Sequence, residues 1–153
     1  MHKIDDIDRK LLRLMQAEPE IAIKNLAEDC ALSTATAWRR LERLQSSGIL
    51  QAQEAVINWA ALGYEVEVSL RITLDKTQRN AFDDFLEAAR DVPEVNEIQT
   101  FLGRVDVRLN VLARDMKHYQ DIYRSRILTL PHIADIEALM LVSEVKNSEA
   151  LPL

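Results

Sequence analysis

The chain has 153 residues, 48% hydrophobic and 29% charged, a range that fits one ordinary domain or two small ones and excludes a disordered or low-complexity protein. Its formal net charge of -6 excludes a surface coated in basic side chains, and the single cysteine, Cys30, excludes both an intramolecular disulfide framework and a cysteine-based zinc cluster. No apolar run is long enough for a signal peptide core or a bilayer span, so a reducing cytoplasm is the expected location.

Ile4, Ile7, Leu11, Leu14 and Met15 recur at helical spacing, with Asp5, Asp6 and Asp8 near the positive end of the helix dipole, and Pro19 stops this first helix. Ile23, Leu26, Ala27 and Cys30 mark a shorter second helix, on which Cys30 reads as a small buried residue. A turn at Leu32-Ser33 follows. Ser33 is suited to cap a third helix with Ala37, Leu41 and Leu44 on its inner stripe, and Gly48 to end it in the left-handed conformation.

Two short helices joined by a tight turn fit a helix-turn-helix, whose second helix enters the DNA major groove. Ser33, Thr34, Ala35 and Thr36 at its N-terminus are then placed for base edges, and Arg39, Arg40 and Arg43 for phosphates or guanine. The plainer reading is that these arginines solvate a surface helix and pair with Glu42 or other acids. The capped turn and hydroxyl leader favour the DNA reading. Trp38 either staples a wing to the helix or touches DNA, packing being the commoner fate of such a ring. After Gly48, "ILQAQEAVINWAALG" offers a strand, a turn and a second strand, as a winged variant needs.

The second half reads β-α-β-β-α-β. Val66, Val68, Leu70, Ile72 and Leu74 alternate on a first strand; Phe82, Phe85, Leu86 and Ala89 line a helix ended by Pro93; "VNEIQTFL" is a second strand. Gly103 connects to a third, with Val105, Val107, Leu109, Val111 and Ala113 alternating. A helix bearing Tyr119, Ile122, Tyr123, Ile127 and Leu130 runs to Pro131, and a last strand covers about Ile133 to Val145. "VPEVNEIQ" and "LPHIADIE" echo each other across the two halves. This order implies an α+β, ferredoxin-like domain, with a four-stranded antiparallel sheet carrying both helices on one face. Ala138, Met140 and Val142 alternate with Leu139 and Leu141, so both faces of the last strand look apolar and the uncovered side is expected to meet a second subunit. A homodimer would present two readers to two half-sites one DNA turn apart. The expected domains are 1–50 for DNA binding, a strand-containing linker at 51–64, and 65–153 for effector sensing and oligomerisation.

"IDDIDRKLLRLMQ", "NLAEDCALS", "WRRLERLQSSGIL" and "SEVKNSEALPL", in this order, resemble the Lrp/AsnC (leucine-responsive, feast/famine) family of transcriptional regulators over nearly the whole chain. The resemblance implies a winged helix-turn-helix joined to a ferredoxin-like effector domain, dimers that assemble further into octamers, and modulation of DNA binding by an amino acid or related metabolite. It matches Ser33 to the family serine that opens the recognition helix and Arg40 to its usual arginine, while Thr34 stands where proline is frequent. The family's Gly-Asp-x-Asp-Tyr loop reads "GRVDV" here, keeping Gly103 and Asp106 but placing Arg104 and Val107 where an acid and an aromatic are usual. Gly103, Arg104 and Asp106 are the effector-site candidates. Arg104 either recruits a carboxylate or pairs with Asp106 or a neighbouring subunit.

Two other classes compete. Dimeric sheets of this fold enclose catalytic pockets in some oxygenase-like proteins, but His2, His118 and His132 are scattered, and there is no phosphate loop, nucleophile arrangement or metal spacing, so no catalytic residue, metal or cofactor is expected. An interaction module with a degenerate DNA-binding half is the third reading.

Overall fold

The protein is described here from a computed structural model covering residues 4–51, 55–146, 150 and 152. His2, residues 52–54 of the expected wing, and 147–149, 151 and 153 of the closing segment lie outside the described residues. The chain forms two compact units that divide between Val56 and Ile57, within the segment read as a linker at 51–64.

The first unit holds α1 (Asp6–Ala17), α2 (Ile23–Asp29) and α3 (Thr34–Ser46). Asp5 and Asp8 form a reciprocal capping box at the start of α1: each side chain accepts the other's backbone N–H. Leu11, Leu26 and Cys30 make the core, with Ile7, Leu14, Met15 and Leu41 packed against it. The α2–α3 turn passes through Ala31 at φ 54, a left-handed conformation held by the Leu32 N–H donating to the Ala27 carbonyl at 2.8 Å. Ser33 caps α3 by accepting the Thr36 N–H at 3.2 Å, and Gly48 ends the segment at φ 72.

The strand-turn-strand expected after Gly48 is not found among the described residues. Residues 49–51 and 55–58 join no ladder, and a 3-10 turn over Ala60–Leu62 stands where the second strand was expected. Asn58 Oδ1 accepts the Ala61 N–H, and Gly63 closes the turn at φ 84. A strand exists only against a partner, and Val56, 98% exposed, has none among the described residues.

The second unit is one antiparallel sheet of β1 (Val66–Leu74), β2 (Val95–Thr100), β3 (Val107–Ala113) and β4 (Ile133–Met140), in the spatial order β2-β3-β1-β4, with α4 (Ala81–Arg90) and α5 (Met116–Ile122). This is the ferredoxin-like arrangement. Val68, Leu70 and Ile72 of β1 and Val107, Leu109 and Val111 of β3 face Phe85, Ala89, Ile122 and Ile127, which places both helices on one side. α5 continues into a π-helical turn at Tyr123–Ile127, where the Leu128 N–H reaches back to the Tyr123 carbonyl.

Three details depart from the sequence reading. Phe82 is 41% exposed, and Ala81 takes the inward place at the start of α4. β4 ends at Met140, not near Val145. The helix-free face is not apolar throughout: Arg71 pairs with Glu137, Arg108 with Glu97, and Asn110 donates to Glu67 and Asn96, so exposed apolar surface there gathers on the edge strand and just beyond it, at Leu139 and Leu141.

Candidate nucleic-acid interface and effector loop

The N-terminal turn of α3 presents the side chains picked out for base contact. Ser33, Thr34 and Ala35 are exposed and Thr36 is half-buried. The Ser33 and Thr36 hydroxyls lie 2.8 Å apart, so the cap that starts the helix also fixes their direction. Arg39 is exposed one turn further along.

Arg40 and Arg43 do not extend freely outward as the helical period suggested. Arg40 Nη1 donates to Asp5 Oδ2 at 2.7 Å and to Asp8 Oδ1 at 2.8 Å, and Arg43 Nη2 donates to both oxygens of Asp8 at 2.9 Å. The Asp8 side chain is wholly buried, Arg40 is 20% exposed and Arg43 42%. The Asp8 N–H first, and then the Arg40 guanidinium, hold the Asp5 carboxyl down to about 2. In return the Asp5 and Asp8 carboxylates raise Arg40 above its ordinary value. The acids are not Glu42 but the N-cap and a first-turn residue of α1, more than thirty positions away. One signal in the sequence marks Asp8: it stands four residues after Ile4 and three before Leu11, on the inward stripe of α1, where a charge needs a partner.

Trp38 is 56% exposed and borders a groove of about 290 Å³ with Met15, Ile21, Leu41 and Leu50. Cys30 is buried, and that burial raises its thiol pKa above the usual value.

In the second unit, Gly103 and Arg104 reach the surface, but Asp106 does not. Its side chain accepts the Leu74 N–H at 3.0 Å and pairs with Lys76 at 2.8 Å. Burial pushes the Asp106 carboxyl up, but the Lys76 ammonium and the Leu74 N–H outweigh it and hold the group below its ordinary value. The alternative Arg104–Asp106 pair is therefore replaced by Lys76–Asp106, and Asp106 ties the loop to the end of β1. Among the described residues no ion pair engages the Arg104 side chain, which lines a pocket of about 420 Å³ with Arg71, Thr73, Val105, Asp135 and Glu137. Thr73 Oγ1 donates to the Arg104 carbonyl at 3.2 Å. Of the histidines, His118 Nδ1 accepts the Arg114 N–H and His132 lies 3.0 Å from Asp84. Neither belongs to a metal-ligand cluster among the described residues.

A family model described as winged helix-turn-helix DNA-binding matches residues 4–51, and one described as Lrp/AsnC ligand binding domain matches residues 67–151. The chain is 28% identical over 150 residues to the DNA-binding transcriptional activator DecR of Escherichia coli, covering 98% of this chain and 99% of that protein. It is 28% identical over 148 residues to the leucine-responsive regulatory protein of Klebsiella pneumoniae, with 97% and 90% covered. Among solved structures it is similar to the transcriptional regulator NMB0573 of Neisseria meningitidis in complex with L-Met, with a TM-score of 0.89 at 25% identity and 98% and 97% of the two chains covered. The helical first unit thus matches a winged helix-turn-helix DNA-binding model, and the βαββαβ unit, more than half of the chain, matches the Lrp/AsnC ligand binding domain. The chain belongs to the Lrp/AsnC family of DNA-binding transcriptional regulators.

Proposed function

We propose that the chain meets double-stranded DNA through Ser33, Thr34, Ala35, Thr36 and Arg39, with Arg40 and Arg43 at the phosphate-facing flank, and that an amino acid or related metabolite bound beside Gly103 and Arg104 modulates this binding. The observation that carries the reading is the start of α3: a helix end fixed by its own serine cap, with small side chains exposed there and the exposed Arg39 guanidinium one turn on. An acidic chain can still bind DNA this way because residues 1–60 carry eight basic and nine acidic side chains, so most of the negative charge lies further along.

For the effector, Arg104 offers the donor a carboxylate needs, and Asp106 shapes the loop instead of touching the ligand. The L-Met complex of the Neisseria relative supports an amino acid as the ligand class. Homodimers join through the exposed edge strand β4, with an octamer as the further assembly that the family resemblance implies. The cytoplasm is the location that suits a regulator of this kind.

The test is a titration of the full chain against DNA from upstream of its own gene and against scrambled DNA, at two salt concentrations, with and without an amino-acid mixture. Selective, salt-weakened binding that shifts with amino acids is expected, and Arg104→Ala should abolish the shift alone. No binding at low salt would overturn the reading in favour of an interaction module.

A further inference from the structure

Asp8 is a buried carboxylate that, besides accepting the Asp5 N–H, pairs with two arginines of α3. Each arginine spends only one terminal nitrogen on the acids: Nη1 for Arg40 and Nη2 for Arg43. A guanidinium has five N–H donors in a rigid plane, so fixing one nitrogen fixes the direction of the rest. Among the described residues no bond engages Nε or Nη2 of Arg40, or Nε or Nη1 of Arg43, and both side chains keep part of their surface in solvent. Arg43 lies four residues after the exposed Arg39 and three after the inward-turned Arg40, at the border of the exposed face of α3.

Charge alone gives this cluster little pull on DNA, because Asp5 and Asp8 cancel Arg40 and Arg43. What it supplies is geometry. We propose that Asp8 is a positioning residue for DNA recognition: its buried carboxylate holds the Arg40 and Arg43 guanidiniums so that each turns its remaining N–H edge toward a backbone phosphate. Phosphate contacts set the register in which base edges are read, so Asp8 acts on site discrimination without touching DNA. This rests on the reading that α3 meets DNA, and the experiment separates the two.

The full chain and its variants are titrated, across a salt series, against a duplex that the unaltered chain selects from a random-sequence pool and against a scrambled duplex. Asp8→Asn removes a negative charge, so an unpositioned view expects tighter binding to both duplexes alike. The proposal expects affinity for the scrambled duplex to hold or rise while preference for the selected one falls about tenfold. An unchanged preference overturns it. Should Asp8→Asn melt at the assay temperature, Arg43→Lys carries the test, since it keeps the charge but replaces the planar fork with a point cation. Expected there is the same loss of preference with an unchanged salt slope, and a retained preference overturns the proposal. Arg43→Ala is the separate control: unchanged binding to both duplexes removes Arg43 from the interface, and the positioning role with it.

Discussion

Asp5 and Asp106 are both held below the ordinary carboxylate range, by different neighbours. The Asp8 N–H and Arg40 hold Asp5 near 2 at an exposed helix start, whereas Lys76 and the Leu74 N–H override burial at Asp106. A depressed folded-state value means the group favours the fold above the unfolded value of 3.8, and that this contribution fades as pH falls toward the folded value, about 2 for Asp5. Thermal melts should therefore decline below about pH 4. Asp5→Asn, which keeps an N-cap acceptor, should flatten that decline for the first unit, and an unaltered acid limb would remove Asp5 from the account. The sequence showed Asp5 and Asp8 as acids suited to a helix dipole. Their second use as arginine partners depends on tertiary contact across thirty-two and thirty-five positions, which no local period encodes.

Helix α3 shows how an element inherits its precision from one cap. Ser33→Ala removes the acceptor of the Thr36 N–H and should cost about 1 kcal/mol of stability in denaturant unfolding. A loss confined to the baseline error would mean that Ser33 does not anchor the helix. Period and punctuation made most elements legible: alternation placed β1 and β3, Pro19 lay just past the end of α1, and Ser33 and Gly48 bounded α3. Where the reading failed, the deciding partner lay elsewhere. Strands expected around 49–64 have no edge to pair with among the described residues, and Phe82 stands one position off the buried stripe of α4, which Ala81, Phe85 and Ala89 form at every fourth residue. The candidate effector loop was legible as "GRVDV", but the role of Asp106 was not, since its partner Lys76 lies just past the end of β1, far away in the sequence.

At the scale of the molecule, the helix-free sheet face is stitched by Arg71–Glu137 and Arg108–Glu97, and its exposed apolar residues gather at one edge. If β4 joins copies, Leu139→Glu should lower the assembly state in sedimentation velocity while leaving the fold, read by circular dichroism, in place. An unchanged assembly would move the contact off this edge. The four charges of Asp5, Asp8, Arg40 and Arg43 cancel within a few ångströms, so this cluster exerts little attraction at a distance. If α3 meets DNA, encounter is then expected near the unsteered pace of about 10⁵–10⁶ M⁻¹s⁻¹, so that one site would be told from another by how long the protein dwells there, not by how quickly it arrives.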